Sequence, residues 1–168
     1  MMVSDVMTRE VYMAEQTDSV RDVLEKFATY RIGGMPIVDA EHRIVGYISD
    51  GDLMRHLGRS TNSDISYFTF AMAFPGYFDG LAAVNTETDD MDELRRNVTE
   101  ICHKNAMEVG VKRVITVTAV DDLVQVSAIL AQRKIKKVPV IDENRKVIGI
   151  VSRGDVVRAV VRTFLALT

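Results

Sequence analysis

The chain has 168 residues, 47% of them apolar and 27% charged, and its 24 acidic against 21 basic side chains leave a net charge of −3. That composition suits a soluble globular protein with one substantial core or two small ones, and the acidic balance argues against general affinity for nucleic acid or anionic membrane. A lone cysteine, Cys102, excludes an internal disulfide, no apolar run reaches the ~18 residues of a membrane span, and the start lacks the order of a signal peptide; a cytoplasmic protein is expected.

In chain order, Val11–Ala14 is a short strand candidate before a capping-rich stretch in which Asp18 or Ser19 opens a helix. Val20, Val23, Leu24 and Phe27 fall at helical spacing on that helix. Two β-branched runs follow, Met35–Val38 and Ile44–Ser49, joined by the hairpin-length Asp39–Arg43, and a second helix starts near Asp50. Residues 59–105 form an insertion, polar at first (Ser60–Asp64) and then carrying six of the eleven aromatic residues: Tyr67, Phe68, Phe70, Phe74, Tyr77 and Phe78. Pro75-Gly76 breaks any continuous helix there. Met91, Leu94, Val98, Ile101 and Cys102 then recur at helical intervals, with Asp90 and Glu93 placed as a capping box. The insertion reads as a helical arm folded back on the domain, or as an aromatic docking surface for another protein.

From Val114 the order starts again: a strand candidate to Val117, Asp121 or Asp122 as cap, and a stripe of Leu123, Val126, Ser127 and Leu130. Strands Val138–Ile141 and Val147–Ser152 flank Asp142–Lys146, and a last helix begins near Arg153. That helix carries Val156, Val157, Val160, Val161, Phe164 and Leu165, a stripe wider than one contact needs. It reads either as internal core or as a homodimer contact.

The second half therefore restates the first. Residues 36–52 and 139–155 align at a constant offset of 103, with six of 17 positions identical and six more exchanging one apolar residue for another. A fixed offset without gaps means one supersecondary unit used twice. The fold class is α/β (α+β): two β-α-β-β-α repeats, expected to pack as a pseudo-twofold pair. The expected division is 1–58 for the first repeat, 59–105 for the insertion and 106–168 for the second.

The strongest local constellation is Ser-x-Gly-Asp between a strand and a helix, at Ser49 to Asp52 and Ser152 to Asp155. Ser followed three residues later by an acid is a capping pattern that satisfies free backbone N–H groups. The same hydroxyl and helix start also suit a phosphate, and the carboxylate suits two adjacent sugar hydroxyls. Repetition in one context, with Gly51 and Gly154 permitting close backbone approach, favours ligand binding.

These residues carry a family resemblance. Gly34-Met35-Pro36-Ile37-Val38-Asp39, then Gly46-Tyr47-Ile48-Ser49 and Asp52, resembles the signature of a cystathionine-β-synthase-type (CBS) domain. Lys137-Val138-Pro139-Val140-Ile141-Asp142, then Gly149 to Asp155, is similar to the same signature, and Asp5-Val6-Met7-Thr8 resembles the usual start of a first domain. The resemblance implies a regulatory CBS pair that binds an adenosine-containing ligand (AMP, ADP, ATP, S-adenosylmethionine or NAD) in clefts between the repeats. It also implies a homodimer acting on a separate regulated protein. The roles carried over place the ribose hydroxyls on Asp52 and Asp155, the phosphate near Ser49 and Ser152, and the adenine against the backbone before Pro36 and Pro139. That backbone is Ile32, Gly33 and Gly34, or Ile135, Lys136 and Lys137.

The copies differ where charge matters: Asp50 is replaced by Arg153 and His56 by Ala159. A guanidinium binds phosphate in a bidentate fork and a carboxylate repels it, so Arg153 joins the candidate ligand residues; alternatively, both are solvated first-turn residues. His42, His56 and His103 show no metal-ligand spacing, and no acid/base pair, activated nucleophile or catalytic cofactor is expected. Cys102 reads as a small apolar helix residue. The competing function is a scaffold that dimerises or docks through the aromatic insertion and binds no ligand.

Overall fold

The computed structural model describes residues 1–58 and 89–165, leaving aside the side chains of residues 58, 89–95 and 164. The expected aromatic run Tyr67–Phe78 and the polar Ser60–Asp64 stretch lie outside the described residues. A 3-10 turn at Val3–Asp5 leads to β1 (Ala14–Glu15), α1 (Val20–Tyr30), β2 (Gly34–Val38), β3 (Ile44–Ser49) and α2 (Asp50–Gly58). Then come α3 (Asp89–Cys102), α4 (Ala106–Val109), α5 (Leu123–Gln132), β4 (Lys137–Ile141), β5 (Val147–Ser152) and α6 (Arg153–Phe164). The four long strands and the helices that follow them stand where periodicity puts them. Asp90 lies inside the first turn of α3, and the side chains of the expected Asp90–Glu93 capping pair are outside the described set.

The opening strands are shorter than expected, for one reason in both repeats. Past Ala14 the chain bends at once, Glu15 N–H donating to Asp18 Oδ2 at 2.9 Å; past Val117, Thr118 N–H donates to Asp121 Oδ2 at 2.7 Å. These carboxylate turns end extended backbone so that Ser19 and Asp122 can cap α1 and α5. β1 keeps two residues beside β2 and β3, while Val117 keeps a single parallel bridge to Val140 next to the antiparallel β4–β5 pair. Each hairpin turn is likewise built on an aspartate. Asp39 Oδ1 accepts from the N–H groups of Glu41 and Arg43 at 3.0 and 2.9 Å, and Asp142 Oδ1 from those of Asn144 and Lys146 at 2.9 and 2.8 Å. His42 and Arg145 take left-handed φ of 62° and 64° at the same step of each turn.

The chain divides into two compact units, each with its own core. One comprises Met13–Ile37 and Val45–Lys112. There Phe27, Met35, Ile37, Ile48 and Leu53 are almost wholly buried, with Ile101, Cys102 and Ala106 packed on them. The other comprises Met1–Tyr12, Val38–Ile44 and Arg113–Thr168, and buries Val3, Met7, Val126, Leu130, Val138, Val140 and Val151. Burying a side chain of this size contributes about 1.5–3 kcal/mol, so each unit rests on a handful of residues. Burial pushes the Cys102 thiol upward despite the opposing pull of Arg21, as suits a small apolar core residue.

The units do not follow the repeats, because the segment opening each repeat belongs to the sheet of the other. Thr8 and Ile150 exchange two backbone hydrogen bonds, 3.0 and 2.9 Å; Val111 and Tyr47 do the same at 2.8 and 2.9 Å. Both pairs obey the offset of 103. The turns preceding these segments are equivalent too: Met2 N–H donates to Asp5 Oδ2 and Asn105 N–H to Glu108 Oε1. The glycines of the strands make room for the incoming methionines. A β-carbon on Gly149 would lie 2.6 Å from Met7 Sδ, and one on Gly46 would lie 2.9 Å from Met107 Sδ.

The apolar stripe of α6 is split. Ala159 is buried and Val156 packs on the core, while Val157, Val160 and Leu165 are exposed.

Candidate functional site

Each Ser-x-Gly-Asp segment sits where a strand ends and a helix begins, and the bonds from its serine to its aspartate are the same in both copies. Ser49 N–H and Oγ donate to Asp52 Oδ2 at 2.8 and 2.7 Å; Ser152 N–H and Oγ donate to Asp155 Oδ2 at 2.7 and 2.6 Å. Asp155 N–H returns a bond to Ser152 Oγ at 3.2 Å. The carboxylates are the buried acids of the described chain, at 6% exposure for Asp52 and 9% for Asp155. The aspartate thus caps the serine N–H at both places, and the serine hydroxyl caps a helix N–H at Ser152. Burial pushes the Asp155 carboxyl up, but the Ser152 hydroxyl and N–H, joined by Arg158, outweigh it and hold the acid below its ordinary value.

The second oxygen has a different partner. Arg55 Nη2 holds Asp52 Oδ1 and Arg158 Nη2 holds Asp155 Oδ1, each one helical turn on. The carboxylates are nearly buried, yet the two arginine side chains are 66% and 64% exposed. Sequence reading missed both arginines. The signal was present, since Arg55 and Arg158 obey the same offset of 103 just past the acids.

The residues before the motif prolines meet the Ser-x-Gly-Asp segment of their own repeat. Asp50 N–H donates to Gly33 O at 2.9 Å, and Arg153 N–H donates to Lys136 O at 3.1 Å. Pro36, Pro139 and Gly34 are buried; Ile32, Gly33, Ile135 and Lys137 are half-buried, and Lys136 is exposed. Arg153 turns its guanidinium onto its own unit, with Nε to Ile135 O at 2.9 Å and Nη2 to Leu130 O at 3.1 Å. It braces the end of α5 and occupies one of the pre-proline carbonyls. Asp50 Oδ1 accepts from Gly51 N–H at 2.7 Å.

The copies also differ beside the first strand position. Gly34 lets the ring of Tyr47 close in, so that a β-carbon there would lie 2.9 Å from the phenol oxygen; the second repeat has Lys137 and Ile150 instead. Burial, and then the negative charges of Asp50 and Asp52, push the Tyr47 phenol far above its ordinary value, so it serves as a neutral hydroxyl. Chemically, each copy presents a buried anion with one oxygen fixed by backbone and one held by a solvent-exposed cation.

The comparisons with known proteins agree with this duplication. The CBS domain profile matches residues 3–59 and 106–162. Over 96% of its length the chain is 25% identical to MJ1426 of Methanocaldococcus jannaschii, covering 92% of that protein. It is 28% identical to the chloroplastic CBS domain-containing protein CBSX2 of Arabidopsis thaliana over 94% of this chain, and spans 62% of that relative's length. Among solved structures, CBSX2 in complex with AMP matches with a TM-score of 0.68 at 24% identity, covering 97% of this chain and 98% of that one. The CBS pair of MJ0100, in complex with 5′-methylthioadenosine and S-adenosylmethionine, matches at 0.63 with 21% identity, covering 95% and 94%. With two copies in tandem, each holding the same Ser-Asp-Arg constellation at a strand-to-helix junction, the chain belongs to the CBS domain family.

Proposed function

We propose that this chain is a regulatory module that binds an adenosine-containing ligand at its two Ser-x-Gly-Asp segments and passes the resulting change to a separate partner protein. One observation carries the reading: each copy keeps a buried carboxylate whose Oδ1, among the described residues, is held only from the solvent side, by an exposed arginine. A cap needs the Oδ2 bonds and nothing more; an available second oxygen is what a sugar hydroxyl requires. Relatives support the ligand class, since CBSX2 is known in complex with AMP and MJ0100 with 5′-methylthioadenosine and S-adenosylmethionine. The ribose falls to Asp52 or Asp155, the phosphate to the side of Ser49 or Ser152, and the base to the backbone before Pro36 or Pro139. A carboxylate such as Asp155, kept ionised by the donors around it, is poorly suited to general acid or base work. We therefore read the module as a sensor and not an enzyme.

Ligand shifts such a module only by its unequal affinity for two arrangements, typically about 1–3 kcal/mol of coupling. The exposed apolar face of α6, with Val157, Val160 and Leu165, favours a second copy of the chain as the element through which that shift is read. Thermal unfolding with AMP, ATP, S-adenosylmethionine and NAD in turn tests the reading. A true ligand at about 100 times its Kd adds about 2.7 kcal/mol to the native state. At roughly 2–4 °C per kcal/mol for a chain of this size, the midpoint rises by about 5–10 °C. A midpoint that ignores all four ligands rejects the sensor in favour of the docking scaffold.

A further inference from the structure

Among the described residues, three helices open on a Ser-x-x-Asp pair whose serine N–H and hydroxyl both donate to the acid's Oδ2, and two of them add an arginine. At the start of α1, Ser19 N–H and Oγ donate to Asp22 Oδ2 at 2.7 and 2.6 Å, and Asp22 N–H returns to Ser19 Oγ at 3.2 Å. Those distances repeat the ones at Ser152 and Asp155. One turn beyond Asp22 stands Glu25, whereas one turn beyond Asp52 and Asp155 stand Arg55 and Arg158. The box at α1 is an internal control: capping a helix in this protein does not need the arginine.

We propose that Arg55 and Arg158 are specificity residues that hand their aspartates over to the ligand's sugar and take its phosphate in exchange. The inference rests on the adenosine-ligand reading above. A carboxylate offers about four lone-pair sites. At Asp155, Ser152 fills two of them through Oδ2 and Arg158 occupies Oδ1. A ribose diol needs two acceptor positions, so one of the present donors has to go. Ser152 N–H is backbone entering α6 and stays. The arginine, on a long and largely exposed arm, is the donor that leaves without unfolding anything.

The released guanidinium has a second task within reach. A β-carbon on Gly154 would lie 3.4 Å from Arg158 Nη1 and 3.5 Å from Ser152 Oγ; on Gly51 it would lie 3.7 Å from both Arg55 Nη1 and Ser49 Oγ. In each copy, then, a cation and a hydroxyl flank one position that carries no side chain. That is a seat for a phosphate oxygen, with the guanidinium supplying a charge-assisted bond. The exchange selects a phosphorylated adenosine over neutral adenosine, because only the phosphate compensates the arginine for its lost carboxylate. It gives cationic S-adenosylmethionine no such gain.

Isothermal titration of AMP and adenosine into the wild-type chain and the Arg55→Met/Arg158→Met variant tests this. Wild type should bind AMP at least about tenfold more tightly than adenosine, the typical worth of one charge-assisted bond. The variant should lose that preference while adenosine binding is kept or tightens, since Oδ1 is now open. An AMP preference that survives in the variant overturns the proposal. Parallel weakening of both ligands also overturns it, by assigning the arginines a purely structural role. Binding of neither ligand to wild type overturns the sensor reading itself and this inference with it, an outcome distinct from the other two.

Discussion

The matching boxes at Asp22 and Asp155 allow capping to be separated from the proposed ligand binding within one molecule. Replacing Asp155 with asparagine keeps one oxygen for Ser152 but turns an amide nitrogen toward the Arg158 guanidinium, donor against donor. Two charge-assisted bonds become neutral and a third is lost, a cost of about 1–2 kcal/mol. For a chain of this length that lowers the unfolding midpoint by roughly 2–8 °C. Asp22→Asn disrupts a box of the same dimensions at α1 and should cost a similar amount, slightly less for want of an arginine. The two variants part company when AMP is added. Asp22→Asn should keep the full ligand-induced rise of about 5–10 °C estimated from mass action. Asp155→Asn should forfeit the share of its own site, and Asp52→Asn/Asp155→Asn the whole rise. Differential scanning fluorimetry with and without AMP reads all four proteins. Equal AMP responses in Asp22→Asn and the double variant would refute the reasoning, leaving Asp52 and Asp155 as caps and nothing else.

Further expectations follow from particular contacts. Gly110→Ala puts a β-carbon 2.7 Å from Tyr47 O and 3.1 Å from Ala106 O, both backbone atoms; chemical denaturation should show a loss of about 1–3 kcal/mol. Gly51→Ala, with nothing nearer than 3.7 Å, should leave stability unchanged or raise it by up to about 1 kcal/mol through helix propensity, while weakening nucleotide binding. Asp22 and Asp155 are both held below the ordinary carboxylate value, Asp22 first by the Ser19 hydroxyl and Asp155 against the upward push of burial. Their contribution is fully present above the unfolded value near ~4 and disappears as pH falls through the lower folded values. Unfolding midpoints between about pH 2 and 5 should therefore drop less steeply in Asp155→Asn than in wild type. Val157 and Val160 are 61% and 47% exposed, so Val157→Asp/Val160→Asp should change the midpoint little and convert a dimer to monomers in sedimentation velocity. A wild-type monomer would remove α6 as the coupling face.

The parts legible in the sequence are those built from local interactions. Pro, Asp, Gly and Ser at the shared positions mark turns and caps, and Asp39, Asp142, Ser49 and Ser152 make the hydrogen bonds those residue types imply. Strand and helix placement came from the same source. What stayed hidden depends on distant partners. Nothing in the run Met7-Thr8 says that it lies against Gly149 and Ile150, because its hydrogen bonds are made by backbone. Periodicity likewise could not divide the α6 stripe into Val156, packed on the core, and exposed Val157, since that depends on what packs above the helix. At the site, the Ser–Asp pair was readable and its arginine was not, because an exposed charged residue on a helix looks like ordinary solvated surface until its partner is seen. Arg153 went the other way: a cation suited to phosphate is spent on the carbonyls of Leu130 and Ile135.

The exchange of opening segments sets how this protein has to assemble. Thr8 waits for Ile150, 142 positions later, and Tyr47 waits for Val111. One sheet gains its last edge only when residues near both ends of the chain are present, and the other only when Val111 is, so closure is a late, long-range event and folding should be slow for the chain's size. A gene cut between the repeats would yield two halves, each with an arm that has no seat and a seat that has no arm. Mixed together, such halves have reason to find each other, and two copies of a single half have reason to trade arms.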